Sequence, residues 1–392
     1  MCRFEINGNV KWPPEFSAEQ KDFFDSRDAL LFHQSIPGYA PTPLLKLDGL
    51  AGDLGIGSIY VKDESKRFDV KAFKPLGASY AIYQVIRRKI FDKTGDYPDV
   101  DIFSKSGLLK SLDKITFCAA TDGNHGRAVA WAANKLGQNA VIFMPAAASP
   151  RRIANIKNEG ARVELVKGPF DDCVKICESK ARENGWQVIS DTAYEGNMEL
   201  PRFIIQGYKT IFLEIGEQIK LEDLPLFDLV VLPAGVGGLA AAGAGYYAHK
   251  YGITRPAALC VEPDDADCFY LSIKAGMASQ SPGKQESIMV GLACGFPSLA
   301  AWPICRDNID AFTAIGDGWA KKAMRTYKKF GITSGESGSA GLAGLLALLQ
   351  SEKLAGLKNF YHLGKESRIL ILNTEGDTDP VSYKEITGEA DD

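Results

Sequence analysis

The chain has 392 residues, of which 45% are apolar and 24% charged, so a buried core and about two to three domains are expected. Forty-five basic against 49 acidic residues give a net charge of −4 without a long like-charged block, which argues against a nucleic-acid partner. The N-terminal sequence lacks the apolar core of a secretory signal and the eight cysteines form no CxxC pair, so we expect a cytoplasmic protein without a structural metal site.

The first predicted element is a helix over about 17–35, opened by Ser17 and Gln20 at the spacing of a capping box. From Ile59 onward, short β-branched runs alternate with helical segments. The predicted strands are IYVKDE, ITFCAA, NAVIFMP, RVELVKG and WQVIS, and a helix over about 200–218 follows them. This alternation is typical of βαβ units and predicts an α/β fold with parallel sheets.

A second block begins with the strand DLVVLPA and a glycine loop, and it ends with the strand RILILN. Between them the sequence predicts the strand AALCVEP, irregular structure over about 264–312 and the small-residue helix SGSAGLAGLLALLQ. No repeat or flexible linker separates the two blocks. We therefore expect interwoven domains: a large one of 1–84 plus 200–392, and a small inserted α/β domain of 85–199.

The stretch 229–248 has twenty residues without a charge, which is the length of a membrane-spanning helix. Pro233 and five glycines interrupt it, and both residue types weaken a helix interior. We therefore expect no membrane span.

One lysine lies in an apolar setting. Lys74 stands in AFKPLGA, between a turn-rich stretch and the start of an apolar helix. The ordinary interpretation is a solvated surface lysine. Desolvation and a helix N-terminus would both lower the pKa of its ammonium group, and such a lysine suits Schiff-base chemistry.

The loop TDGNHG follows the strand ITFCAA and opens the next helix. One interpretation is a helix cap, in which Asp122 or Asn124 accepts backbone N–H bonds. The other is a ligand site: the glycines let a ligand approach, the free amides attract a carboxylate, and Asn124 contacts a phenolic or carbonyl oxygen. The sequence leaves both interpretations open.

A glycine turn lies between the strand DLVVLPA and a helix, where free N–H groups and the helix dipole converge on a phosphate. The candidate phosphate-binding residues are Gly235, Val236, Gly237, Gly238 and Leu239. The spacing of Gly235, Gly237 and Ala240 also fits a dinucleotide fingerprint, and Glu262 lies 27 residues after Gly235, near where a ribose-binding acid would stand. An NAD-dependent oxidoreductase is therefore an alternative.

The last polar turn, NTEGDTD, follows the strand RILIL. It fits an ordinary Asx-type turn. It also fits a ligand site, because Asn373 or Thr374 would present a neutral group to a ring nitrogen at the carboxyl end of a strand.

Together these segments resemble the fold-type II family of pyridoxal-phosphate enzymes, and within it the diaminopropionate ammonia-lyases. The resemblance extends over about residues 41–380. The motifs that carry it are KDES before AFK, ATDGNHGR, SDTA with EG, IIQGYKT, VEPDDADC, GLACG, TSGESG and NTEGDTD. It implies two parallel-sheet domains of the tryptophan synthase β-like architecture, a small amino-acid substrate and a homodimer.

The resemblance also implies roles for single residues. Lys74 would form a Schiff base with pyridoxal 5′-phosphate, Asn124 would contact its phenolic oxygen, and the 235–239 loop would hold its phosphate. Asn373 or Thr374 would face the pyridine nitrogen. The implied reaction is α,β-elimination of 2,3-diaminopropionate to pyruvate and ammonia. Lys74 and Asp122 look like bases on opposite faces of the bound substrate, with Asp191 close to its amino groups.

Two arguments from the residues agree with part of this. A neutral group at the ring nitrogen leaves it weakly protonated, which favours elimination over transamination. The related serine and threonine dehydratases and cysteine synthases usually carry Ser or Thr at the place of Asp122, whereas a carboxylate there favours a second, cationic amine.

Three alternatives stay open. The first is a serine/threonine dehydratase-like or cysteine-synthase-like enzyme acting on another β-substituted amino acid. The second is the NAD-dependent oxidoreductase. The third is a binding protein without catalytic activity, in which the cofactor has only a structural role. The resemblance also allows Cys268 and Cys294 to form a disulfide, and two free thiols in a reducing cytosol are the alternative.

Overall fold

The computed structural model describes residues 2–101, 113–121, 123–168 and 170–388. The chain divides into two compact units. The first is built from the chain up to Asp25, from Pro41–Arg67 and from Ile211 onward, and the second from Ser26–Ala40 and Phe68–Thr210. The predicted domain boundaries, at 84/85 and 199/200, stay a prediction.

The strands in chain order are β1 (Cys2–Ile6), β2 (Leu44–Lys46), β3 (Ser58–Asp63), β4 (Thr116–Ala120), β5 (Asn139–Pro145), β6 (Arg162–Val166), β7 (Gln187–Val188), β8 (Leu229–Pro233), β9 (Ala257–Pro263), β10 (Ala311–Ile315) and β11 (Arg368–Asn373). The α-helices are α1 (Ala18–Asp25), α2 (Asp28–Ser35), α3 (Asp48–Leu54), α4 (Lys74–Thr94), α5 (Asn124–Lys135), α6 (Pro150–Asn158), α7 (Phe170–Asn184), α8 (Glu199–Leu221), α9 (Gly238–Tyr251), α10 (Cys268–Ala275), α11 (Trp302–Asn308), α12 (Asp317–Lys329), α13 (Ala340–Gln350), α14 (Ala355–Tyr361) and α15 (Pro380–Thr387).

The sheet of the first unit has seven strands in the order β1-β10-β9-β8-β11-β3-β2. The five inner strands run parallel, and the outermost strand on each side is antiparallel to its neighbour. The carboxyl ends of the inner strands therefore share one edge, which is where open α/β sheets bind ligands.

The inner strands of this sheet are almost continuous apolar runs, such as LVVLP in β8, because helices cover both faces. One covering helix, α13, is rich in alanine and glycine. A Cβ atom at Gly344 would come within 2.3 Å of the Val261 side chain on β9. The small residues thus bring the helix backbone close to the sheet.

The second unit has a four-stranded parallel sheet in the order β6-β5-β4-β7. Its helices α4 and α8 touch through two glycines. A Cβ atom at Gly77 would meet the Tyr208 ring at 2.5 Å, and one at Gly207 would meet the Leu76 carbonyl oxygen at 2.4 Å. This close crossing fixes the first turn of α4, where Lys74 lies, against Tyr208.

The predicted α/β fold with parallel sheets is confirmed, and so is the capping box. The Ser17 N–H donates to Gln20 Oε1 at 2.9 Å, and the Gln20 N–H donates to Ser17 Oγ at 3.2 Å. The single helix expected over 17–35 is wrong, because α1 ends at Asp25 and α2 begins at Asp28. The irregular structure expected over 264–312 is confirmed only for about 276–301, because α10, α11 and the start of β10 occupy the rest of that range.

The uncharged stretch 229–248 is divided between β8, the glycine turn and α9. Within the described ranges, every helix is too short or too polar to cross a membrane.

Candidate active site

Lys74 is the first residue of α4, and Pro75 follows it in the first turn, where the missing N–H of proline costs nothing. Its Nζ donates to Asp191 Oδ2 at 2.6 Å. The two side chains are 14% and 20% exposed. The structure therefore shows a partly buried, ion-paired lysine and not a solvated surface lysine.

Asp191 lies in the turn after β7. The turn is held by Ser190, whose Oγ accepts the Thr192 N–H at 3.2 Å. Burial raises the pKa of the Asp191 carboxyl, but the Lys74 ammonium, together with the His125 ring when that ring is protonated, lowers it by more, so the net pKa lies below its ordinary value. Asp191 is thus a fixed anion beside Lys74. Sequence analysis named both residues but did not foresee their contact.

His125, in the first turn of α5, was not among the predicted site residues. Its Nε2 lies 2.8 Å from the carbonyl oxygen of Ile189, which can only accept, so Nε2 carries the proton. Its Nδ1 lies 3.7 Å from Asp191 Oδ2. Burial lowers the pKa of the imidazole; Asp191 raises it and Lys74 lowers it, and the net pKa is below the ordinary value. The resting His125 is therefore neutral.

Tyr208 is the second residue that sequence analysis missed, although it lies in the motif IIQGYKT. It is buried on α8, and its ring centroid is 4.7 Å from that of Phe73. Burial raises the pKa of its phenol; the charge of Lys74 lowers this pKa and that of Asp191 raises it, and the net pKa is above the ordinary value. Tyr208 therefore stays a neutral hydroxyl next to the Lys74–Asp191 pair.

The TDGNHG loop is organised by Thr121. Its Oγ1 accepts the N–H groups of Gly123 at 3.0 Å and of Gly126 at 3.1 Å. A Cβ atom at Gly126 would come within 2.2 Å of the Thr121 methyl group. Thr121 therefore satisfies two N–H groups at the start of α5. Asn124 is the first residue of α5, and Asp122 lies outside the described residues.

The glycine turn of the first unit leads from β8 into α9. Gly237 has φ +93°, and a Cβ atom there would lie 2.2 Å from the Phe269 ring. At Gly235 a Cβ atom would approach Cys294 Sγ at 3.0 Å and the Gly291 carbonyl oxygen at 3.1 Å. Gly237, at the N-cap of this 14-residue helix, has no side chain to accept the first N–H groups, which leaves them to an anion. The 235–239 loop therefore fits a phosphate.

Asn373 and Thr374 end β11, which is the parallel neighbour of β8 in the same sheet. Asn373 Nδ2 donates to Asp63 Oδ1 at 2.8 Å and to the Thr333 carbonyl oxygen at 3.0 Å. The Thr374 hydroxyl donates a long hydrogen bond, 3.4 Å, to the Ser337 carbonyl oxygen. The edge that carries the phosphate loop thus also carries neutral polar groups, and this combination fits the phosphate and pyridine ring of pyridoxal phosphate.

The structure argues against the oxidoreductase alternative. Glu262 is fully buried, and its two carboxyl oxygens accept the N–H groups of Phe269 and Tyr270, each at 2.8 Å. This carboxyl group is thus engaged with the N-terminus of α10 and is not available to a ribose hydroxyl. Burial, opposed by these two hydrogen bonds, raises the pKa of Glu262 to about 8.

The raised pKa of Glu262 predicts a pH-dependent stability. The unfolded chain releases this proton at about pH 4.3 and the folded chain at about pH 8, so the free energy of unfolding falls as pH rises through that window. The upper limit is about 1.4 kcal/mol for each pH unit. Denaturant unfolding should show a flatter profile for Glu262→Gln, whose amide does not ionise. Parallel profiles for the two proteins would contradict this assignment.

The two cysteines near the glycine turn are not joined by a disulfide. Cys268 is buried with Sγ 3.6 Å from Glu262 Oε1, and Cys294 is half-buried.

Comparisons with known proteins agree with this chemistry. The model of the family "Pyridoxal-phosphate dependent enzyme" matches residues 36–362. Diaminopropionate ammonia-lyase of Escherichia coli (strain K12) is 40% identical to this chain over an alignment 398 residues long. The alignment covers 99% of this chain and 98% of the relative.

Two solved structures of the Escherichia coli diaminopropionate ammonia-lyase are also similar, at 38% identity. The complex with D-serine has a TM-score of 0.89, and the complex with an aminoacrylate-PLP azomethine reaction intermediate has a TM-score of 0.86. Each alignment covers 100% of this chain and 98% of the other. The chain therefore belongs to the pyridoxal-phosphate dependent enzyme family, and pyridoxal 5′-phosphate is its cofactor.

Proposed function

We propose that this protein is a diaminopropionate ammonia-lyase, which converts 2,3-diaminopropionate and one water molecule into pyruvate and two ammonia molecules. The observation that carries the proposal is the ionised Asp191 carboxylate, fixed 2.6 Å from the Lys74 amine. An anion at the reactive lysine offers a charge-assisted hydrogen bond to a second ammonium group. The 40% identity to the Escherichia coli enzyme supports the same substrate.

The cofactor contacts are assigned residue by residue. When bound, pyridoxal phosphate supplies the electron sink for cleavage of bonds at the α-carbon. Lys74 would bind its aldehyde, Asn124 its phenolic oxygen and the 235–239 loop its phosphate. Thr374 is favoured over Asn373 at the ring nitrogen, because both amide hydrogens of Asn373 already bond to Asp63 and Thr333.

The other catalytic roles are those that the family resemblance implies. Lys74 exchanges a proton with the α-carbon on one face of the substrate, and Asp122 does so on the opposite face. Asp191 orients the amino groups of the substrate. A substrate with a β-hydroxyl group gains less from Asp191, because a neutral hydroxyl forms a weaker hydrogen bond to a carboxylate than an ammonium does.

The second candidate function is a dehydratase acting on serine. The structure of the Escherichia coli relative in complex with D-serine favours it, since that relative binds a hydroxyl-bearing amino acid.

Product stoichiometry distinguishes the two functions. The purified enzyme is incubated with each enantiomer of diaminopropionate and serine, and with threonine and O-acetylserine, while keto acid and ammonia are measured. We expect the highest kcat/KM with diaminopropionate and about two ammonia molecules for each pyruvate. A higher kcat/KM with serine, at one ammonia for each pyruvate, would favour the dehydratase.

Asp191→Asn tests the role of the carboxylate in substrate choice. A hydrogen bond to a charged group contributes about 1.5–3 kcal/mol, so we expect the ratio of kcat/KM for diaminopropionate to that for D-serine to fall by about 10- to 100-fold. Asp69→Asn, at an exposed carboxylate of the same unit, is the matched control and should leave the ratio unchanged. An unchanged ratio in Asp191→Asn would remove Asp191 from substrate recognition.

We also propose a cytoplasmic location and a homodimer. The eight cysteines, all among the described residues, form no disulfide, which agrees with a reducing compartment. The homodimer is inferred from the family resemblance, and light scattering of the eluting protein during gel filtration tests it.

A further inference from the structure

One buried nitrogen next to the reactive lysine is unexplained by the roles assigned so far. His125 Nδ1 makes no hydrogen bond within the described ranges, and the atom it faces is Asp191 Oδ2 at 3.7 Å. Both atoms carry lone pairs while His125 is neutral, so they cannot bond to each other. A buried polar atom without a hydrogen bond destabilises the folded state. A proton on Nδ1 would remove this destabilisation and turn the contact into an ion pair.

The other ring nitrogen is already committed, because Nε2 donates to the Ile189 carbonyl oxygen at 2.8 Å. This bond fixes the orientation of the ring and leaves Nδ1 as the atom that can gain a proton. The same carboxylate oxygen, Asp191 Oδ2, accepts from Lys74 Nζ at 2.6 Å. Lys74 and His125 therefore compete for one anionic oxygen.

We propose that His125 is a positioning residue that stores the proton of Lys74. When Lys74 acts as a neutral amine, one proton leaves Nζ, passes over Asp191 Oδ2 and binds His125 Nδ1. The inference rests on the proposed function, because that function makes Lys74 the reactive base. One N–H bond breaks at Lys74 and one forms at His125, so no proton is exchanged with solvent.

The charges of the cluster make this transfer reasonable. Among the described residues, Lys74 and Asp191 are the charged groups that act on the His125 ring, and the nearby Tyr208 phenol is neutral. The side chains of Lys74, Asp191 and His125 have a total charge of zero before the transfer and after it. Asp191 thus keeps a cationic partner in both states, which avoids the high cost of an unpaired partly buried carboxylate.

The transfer makes a prediction that needs neither substrate nor cofactor. The positive charge of Lys74 lowers the pKa of His125, so removing it should raise that pKa. The full-length, cofactor-free chain is labelled at its four histidines and titrated by NMR, and the His125 signal is assigned from a His125→Gln sample. We expect its midpoint at higher pH in Lys74→Ala than in wild type. Lys74→Arg keeps the charge and should keep the wild-type midpoint.

Adding Asp191→Asn to Lys74→Ala should cancel the rise, because the anion that attracts the proton is gone. Equal midpoints in Lys74→Ala and Lys74→Arg would overturn the proposal. Since no turnover is measured, that result would leave the proposed reaction intact, and the loss of the proposed reaction would not alter the titration.

Steady-state kinetics distinguish a His125 that stores a proton from a His125 that only stabilises the loop. Gln at position 125 keeps a donor toward the Ile189 carbonyl oxygen but takes up no proton. We expect kcat of His125→Gln to fall on the order of 10²-fold with little change in KM. The pH profile of its kcat should also lack the transition that the ionisation of His125 produces in the wild-type enzyme. A His125→Gln enzyme with wild-type kcat and pH profile would mean that His125 only supports the loop, and the proposal would fail.

Discussion

Replacing Lys74 by alanine should abolish turnover. This lysine is assigned both the covalent attachment of the cofactor and one of the two proton-transfer roles, and a single positioned acid-base group already contributes about 10² to 10⁴ in rate. We therefore expect kcat to fall by at least about 10⁴-fold. The purified wild-type protein should be yellow, and borohydride should bleach its visible absorbance. In Lys74→Ala the borohydride-sensitive band should be missing.

The matched control is Lys89→Ala, which removes an exposed lysine from the same helix, α4. It should keep both the colour and the activity. A Lys74→Ala protein that still carries a borohydride-sensitive band and turns over would assign the cofactor attachment to another lysine. Loss of activity with an intact band would assign Lys74 to proton transfer alone.

Asp122→Asn should affect the two enantiomers of diaminopropionate unequally. If Lys74 and Asp122 exchange protons on opposite faces of the substrate, removal of one base stops only the enantiomer whose α-hydrogen points to it. We expect kcat/KM to fall by about 10²- to 10⁴-fold for one enantiomer and much less for the other. Initial rates of pyruvate formation with each pure enantiomer measure this.

The control is Asp113→Asn, at an exposed carboxylate, which should change neither rate. Equal losses for both enantiomers in Asp122→Asn would remove the opposite-face assignment. They would leave Asp122 as a group that binds a feature common to both substrates.

The parts of the molecule that could be predicted from the sequence are those set by local pattern. Continuous apolar runs such as LVVLP and RILIL gave the buried parallel strands, and the positions of Lys74 and the 235–239 loop followed from strand, turn and helix signals. β10 was missed because AFTAI is only five residues long and contains two alanines, which are depleted in strands.

The contacts within the site depend on residues far apart in the chain. Asp191 is 117 residues from Lys74, and Ile189 is 64 residues from His125. A local pattern does not reveal which strand end faces which helix N-terminus at such separations. The resemblance brought in Asp191 as a substrate contact, but its pairing with Lys74 and the unsatisfied nitrogen of His125 are visible only in three dimensions.

The strand order of the seven-stranded sheet affects how the protein is made. Its strand β11 lies between β8 and β3, although it is the last strand synthesised. The N-terminal part of the chain leaves the ribosome first. Strands β3 and β8 therefore cannot pair with β11, the strand between them, until residue 373 has emerged. The strands of the smaller sheet all lie between residues 116 and 188 and can pair much earlier. A nonsense mutation shortly before β11 would therefore leave two unpaired strand edges, and such a product should aggregate during translation.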